Sequence, residues 1–137
     1  VSIMGIDYGS RRIGIAISDP SGTMALPLTT IEVRDDHSPL EKIKHLVKDY
    51  QISAVVVGLP YNMDGTLSES GKAVMLWSER LGEILNLPVI LWDERLTTFE
   101  AHDVLNSLNV KVKKRRRMVD KIAASLILKE YLHSRTA

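Results

Sequence analysis

Hydrophobic residues recur along this chain with two periods, and the switch between them marks its elements. Residues 2–7 and 12–18 read as strands on either side of Tyr8-Gly9-Ser10-Arg11, and the second alternates Ile13, Ile15 and Ile17 against Gly14, Ala16 and Ser18. Together they predict a hairpin. A third extended segment spans 24–33, where Pro27 marks an edge or an irregularity because proline cannot donate to a ladder. The period then lengthens. Ser38-Pro39-Leu40-Glu41 combines an N-cap, a proline at the first helical position and a capping-box glutamate, and it opens a helix with Leu40, Ile43, Leu46, Val47 and Tyr50 on one face. A continuous apolar strand, Ala54-Val55-Val56-Val57-Gly58, leads through a loop to a helix over 67–85. That helix turns Val74, Trp77, Leu81 and Leu85 inward, and Gly71 weakens its start. Strand 89–92 precedes a second capping-box pattern, Thr97-Thr98-Phe99-Glu100, which opens a helix carrying Phe99, Val104 and Leu108. A basic loop then leads to a last helix over 118–133.

The predicted order is βββαβαβαα. Apolar strands joined by helices imply a parallel section covered on both faces. An antiparallel meander extended by parallel strands gives an α/β fold with a mixed five-stranded sheet and helices on both faces. That is the order of a ribonuclease H-like domain.

With 137 residues, 45% of them hydrophobic, the chain has material for one such domain over residues 1–137 and none for a second. No apolar run reaches the length of a bilayer span, and the start lacks the layout of a signal peptide, so a soluble cytoplasmic protein without a membrane partner is expected. There is no cysteine, which excludes disulfides, thiolate metal sites and thiol nucleophiles. The net charge of +1 conceals segregation: Lys111, Lys113, Lys114, Arg115, Arg116, Arg117 and Lys121 are crowded together while the rest leans acidic. Such a block reads as a patch for a phosphate backbone or, alternatively, as a solvated loop.

At three places acids stand where the pattern calls for hydrophobes. Asp7 ends the first strand, where its carboxylate would serve a site or close an Asx turn before Gly9. Asp93 and Glu94 end a parallel strand, the edge at which open α/β sheets bind ligands. Because strand side chains alternate, only one of the two faces a given site, and parity alone leaves the choice open. Asp120 lies on the stripe of Ala124, Ile127 and Tyr131, with Ala123 and Ala124 small enough for close approach to a sheet. Its alternative role is a first-turn acid offsetting the basic run and the helix dipole.

Three carboxylates that converge raise one another's pKa unless cations hold them together. An all-oxygen set suits Mg2+ or Mn2+, and two such ions roughly 3.5 to 4 Å apart support phosphodiester hydrolysis without a nucleophilic side chain. His37, His45, His102 and His133 are scattered and form no zinc motif. The loop from Gly58 to Gly65 offers Tyr61 and Asn62 for stacking or hydrogen bonding, but it lacks the lysine and Ser/Thr of a P-loop.

The strings GIDYGSRRIGIAISD, GLPYNMDGT, DERLTT and DKIAASLIL, in this order, resemble the signatures of the YqgF (RuvX) family of bacterial ribonuclease H-like proteins over almost the whole chain. The resemblance implies a nuclease that matures the 5′ end of 16S ribosomal RNA precursor, with Holliday-junction resolution as an earlier family assignment. Carried onto this chain, it implies Asp7, Glu94 and Asp120 as catalytic and metal-ligating acids, with Asp93 as an alternative ligand. Arg11, Arg95, Thr97 and Thr98 also fall in the family's motifs as candidate phosphate contacts, and Asn62 from the loop with Lys113, Lys114, Arg115, Arg116 and Arg117 from the basic block complete the candidate nucleic-acid contacts. Resolvase relatives carry a further acid one turn before the last-helix acid, and Arg117 holds that place here.

The implied partners are structured RNA (pre-16S rRNA), branched DNA and ribosome-assembly intermediates, bound by a monomer or weak homodimer. Two other classes use the same residues. Asp7-Tyr8-Gly9-Ser10 also resembles the phosphate turn of actin-like ATPases, which need two such domains. A non-catalytic RNA-binding module would need only the basic patch.

Overall fold

The computed structural model describes residues 2–34, 38–62, 64–94 and 112–135, with side chains in the last stretch from Met118 onward. Five strands, β1 (Ser2–Tyr8), β2 (Arg12–Ser18), β3 (Ala25–Glu32), β4 (Ile52–Leu59) and β5 (Val89–Asp93), form one sheet in the order β3-β2-β1-β4-β5. β1 pairs antiparallel with β2 and parallel with β4, β2 pairs antiparallel with β3, and β4 pairs parallel with β5. The predicted meander and its parallel extension are both present.

Pro27 proves to mark an edge and an irregularity at once. It lies in β3 at the end of the strand order, and the register slips beside its partner Ala16, so that Thr29 faces Ile15 and Pro27 faces Ala16. The turn between β2 and β3 is organised by Asp19, whose carboxylate accepts the backbone N–H groups of Thr23 and Met24 at 2.9 Å each. These bonds and that of the Ser21 hydroxyl hold the exposed Asp19 carboxyl down at about 2.

Helices α1 (Ser38–Asp49) and α2 (Glu69–Leu85) pack on one face of the sheet and α3 (Val112–Arg135) on the other. Under α1 and α2 lies an apolar core of Met4, Ile6, Ile13, Ile15, Val55, Val57, Ile43 and Leu81. α2 begins two residues later than its periodicity predicts. Ser68 caps it by accepting from Gly71 N–H, and Leu67 instead bridges back to Tyr61. Its other end closes on Asn86 in the left-handed region, φ 54°.

The last helix corrects the reading of the basic segment. α3 starts at Val112, so Lys113 to Arg117 belong to a helix rather than to a loop. Lysine and arginine are good helix formers, and no Gly or Pro interrupts residues 112–135. The unfavourable placement of cations near a helix N-terminus is outweighed by the packing of the apolar stripe farther along. Asp120 is therefore not a first-turn acid. The helix predicted to open at Thr97-Thr98-Phe99-Glu100 and to carry Val104 and Leu108 lies outside the described residues.

Candidate active site

Strand alternation sorts β1 into two sets. Met4 and Ile6 enter the core under α1 and α2, whereas Ile3, Gly5 and Asp7 face α3. Register carries this through the sheet. Asp7 sits opposite Gly14, and Gly58 is paired with Trp92, so that Trp92 and then Glu94 share the α3 face. Asp93, paired with Leu59, falls on the opposite face and is exposed. The question left open by parity is thus answered by pairing: Glu94, not Asp93, points toward Asp7.

Two glycines make the site spatially possible. A Cβ on Gly14 would collide with the backbone carbonyl of Asp120, so α3 lies directly on the strand at this point. A Cβ on Gly58 would collide with Glu94 Oε2 and come within 2.5 Å of Ile127 Cδ1, so its absence is what leaves room for the Glu94 carboxyl. At the outer side, Trp92 Nε1 donates to Glu130 at 3.1 Å and its ring meets Tyr131 edge-on at 5.7 Å, clamping α3 to β5.

Asp7 and Glu94 are joined by a side-chain hydrogen bond. Both residues retain some exposed surface, but protein atoms crowd their carboxyl groups and strip them of water. Burial, followed by the Asp7 charge and the bond to Asp7, pushes the Glu94 carboxyl up to about 9, with a smaller push from Asp93. Burial also raises Asp7, to about 6; the bond from Glu94 opposes this rise, and the Asp120 charge adds to it. At neutral pH the pair therefore holds one proton, as two carboxylates sharing a dry site must when no cation compensates them.

Asp120 stands within electrostatic reach of this pair, but its carboxylate is bonded elsewhere. Arg12 Nε donates to Asp120 Oδ2 at 2.7 Å. Among the described residues, no three acids or histidines already converge as a set of metal ligands. A proton closes the Asp7–Glu94 pair, and a guanidinium holds Asp120. The donors still suit a hard divalent cation: they are all carboxylate oxygens, and the shared proton marks where positive charge is missing.

Arg12 is the residue that reading the sequence passes over. The signal was parity, since Arg12 alternates with Gly14 and Ala16 on the face that receives α3. Arg11, which was singled out instead, is exposed in the β1–β2 turn. Asn62 lies in a tight turn, its amide donating to Thr66 Oγ1 at 2.9 Å while Asp64 accepts from Thr66 N–H at 3.0 Å. Lys113, Lys114, Arg115, Arg116 and Arg117 follow one another along the start of α3, upstream of Asp120. Arg95, Thr97, Thr98 and Lys111 lie outside the described residues.

A mixed sheet of this order, flanked by helices on both faces, defines a ribonuclease H-like fold. Solved structures share it: RuvC of Thermus thermophilus in complex with a Holliday junction substrate has a TM-score of 0.58 at 14% identity, covering 100% of this chain and 96% of that one. The fowlpox virus resolvase in complex with Holliday junction DNA has a TM-score of 0.60 at 13% identity and full coverage of both chains. Within this fold the chain belongs to the RuvX family, whose model, described as Holliday junction resolvase, matches residues 1–134. Relatives named "Putative pre-16S rRNA nuclease" include a Thermoanaerobacter pseudethanolicus protein, 48% identical over 96% of each chain. One from Bacillus cytotoxicus is 44% identical over 97% of this chain and 98% of its own.

Proposed function

We propose that this chain is a divalent-metal-dependent nuclease that hydrolyses phosphodiester bonds in structured RNA, maturing the 5′ end of 16S rRNA precursor in the cytoplasm. The observation that carries this reading is the desolvated Asp7–Glu94 pair with the Asp120 charge beside it, at the strand ends of a ribonuclease H-like sheet. The names of full-length relatives support the RNA substrate. No described helix is long and apolar enough to cross a membrane.

Asp7, Glu94 and Asp120 would hold Mg2+ or Mn2+, in the two-ion manner of carboxylate nucleases. When bound, the cation polarises the scissile phosphate and stabilises the charge of the leaving oxygen. The rest falls to the chain. Asp7 is fixed on the central strand and Glu94 at the end of β5, so their oxygens are set by the sheet rather than by a loop. Loss of the shared proton leaves both carboxylates able to bind a cation. Arg11, Asn62, Arg95, Thr97, Thr98 and the basic start of α3 supply phosphate contacts, and each phosphate neutralised by an arginine or lysine among them adds about −0.7 to −0.9 to the log–log salt slope of binding.

One observation favours a second substrate: the family model is described as a Holliday junction resolvase. Incubation with Mn2+ of an end-labelled 16S precursor leader and of a four-way DNA junction separates the two, with Asp7→Asn as the control for contaminating nuclease. Cleavage of the leader alone is the expected result. Junction cleavage that disappears in the variant would establish the resolvase, which needs two symmetric cuts and hence a dimer. No cleavage of either substrate would leave a binding module.

A further inference from the structure

We propose that Arg12 is a positioning residue of this site, a resident counter-cation that holds Asp120 in the metal-free protein and exchanges it for a substrate phosphate when a divalent cation takes the aspartate. The inference rests on the metal-dependent nuclease reading above but assigns Arg12 a role which that reading does not require.

Three observations carry it. First, Arg12 binds Asp120 through Nε alone at 2.7 Å, and among the described residues its two terminal amino groups have no hydrogen-bond partner. A guanidinium serving only to tether a helix would usually engage a carboxylate through two parallel bonds. Here the fork is half used, and its free edge has the geometry that binds phosphate oxygens.

Second, the side chain is one-third exposed while that of Asp120 is 17% exposed, so the pair stands at the mouth of the site. Release of the arginine is therefore toward solvent or an arriving phosphate and needs no repacking of the core.

Third, the backbone at Asp120 cannot move toward the sheet, because its carbonyl already lies on Gly14. Any change in what Asp120 binds must come from rotation of its side chain. Asp120 is close enough for its charge to raise the Asp7 carboxyl.

The consequence is coupling. Without nucleic acid, Arg12 competes with the cation for Asp120. With nucleic acid, the guanidinium gains a phosphate partner and the competition ends. Cation and substrate then strengthen each other's binding by the same factor.

The test measures Mn2+ affinity, from the electron paramagnetic resonance of the free ion, for wild type, Arg12→Gln, Arg12→Lys, Asp120→Asn and the double variant Arg12→Gln/Asp120→Asn. Each is titrated with Mn2+ alone and again with a 2′-O-methyl copy of the precursor leader, which cannot be cut by in-line attack of the 2′ oxygen and is held on ice to suppress turnover. Wild type should bind Mn2+ more tightly once the leader is present. Arg12→Gln should bind Mn2+ alone about tenfold more tightly than wild type, the loss of one charge-assisted competitor. The leader should then add nothing further.

Arg12→Lys should restore wild-type behaviour with Mn2+ alone. The gain should vanish in the double variant, which should match Asp120→Asn. A tether that merely supports the fold would lower Mn2+ affinity when removed. Unchanged or weaker binding by folded Arg12→Gln, or a gain that persists without Asp120, overturns the proposal.

Cleavage of the unmodified leader by wild type, scored separately, tests the nuclease reading. Cleavage with unchanged Arg12→Gln affinity sinks only the role of Arg12. The predicted affinity pattern without cleavage leaves that role standing and sinks the nuclease. Absence of Mn2+ binding by wild type and variants alike overturns both.

Discussion

The two faces of the sheet are built to opposite rules. Under α1 and α2 the inward positions of the central strands carry large apolar side chains, of which Met4, Ile6, Ile13, Ile15, Val55 and Val57 are fully buried. On the α3 side the same strands bury Ile3 and Val56 but otherwise present Gly5, Asp7, Gly14, Ala16 and Gly58. The first face gains stability by burying branched side chains. The second gives up volume so that a helix can lie against the strands and bring Asp120 to the level of Asp7, and at its open end it tolerates a carboxylate pair that burial disfavours. The packed core and the candidate site are thus divided across a single layer of backbone.

Truncating the filled face should separate the two most clearly. Ile6→Ala should cost about 2–5 kcal/mol in urea denaturation, yet leave the Mn2+ affinity of the folded protein unchanged, because Ile6 faces away from Asp7 on the same strand. On the α3 face the damage comes from adding atoms. Gly14→Ala should cost roughly 1–3 kcal/mol or more, since the new Cβ meets backbone, and should weaken Mn2+ binding as Asp120 is levered away. If Gly14→Ala is neutral, α3 does not rest on β2 as described.

The carboxylate pair makes the metal-free protein sensitive to pH in an unusual direction. Asp7 and Glu94 have folded pKa values raised above their ordinary ones, to about 6 and about 9. The stability they allow is fully present below the unfolded values near pH 4 and is lost as pH rises through 6 and then 9. Thermal unfolding in EDTA should therefore show Tm falling across that window, and saturating Mn2+ should flatten the profile, because the cation replaces the shared proton. A Tm that rises with pH in EDTA would contradict the burial of the pair. The smallest effect belongs to the β2–β3 turn, far from either face. Asp19→Ala should lower Tm at neutral pH, and the difference from wild type should vanish as pH falls from about 4 through about 2, where the exposed wild-type carboxylate protonates.

Much of this division is readable in the sequence. Alternation of isoleucines against Gly14 and Ala16 gave β2 its two faces, and the small residues Ala123 and Ala124 announced close packing of the last helix. Asp7 and Asp120 stood out because carboxylates interrupt apolar patterns. What stayed hidden depended on long-range pairing. Asp93 and Glu94 differ only in parity, and parity acquires meaning only once β5 is set in register against Gly58 and Leu59. Arg12 was hidden for the same reason, since its partner is 108 residues away. The start of α3 was misread because clustered cations suggested a solvated loop, whereas their helix propensity and the absence of Gly or Pro allowed the helix to run on.

In this reading Asp7 does chemistry and is not required for folding or for holding RNA. Binding of the 16S precursor leader in EDTA and its single-turnover cleavage in Mn2+, measured side by side for wild type and Asp7→Asn, test this most directly. Leader affinity should stay within about twofold of wild type while the cleavage rate falls by about 10²–10³, the scale of losing preorganised stabilisation of transition-state charge. An Asp7→Asn protein that binds and cleaves like wild type would contradict this reading.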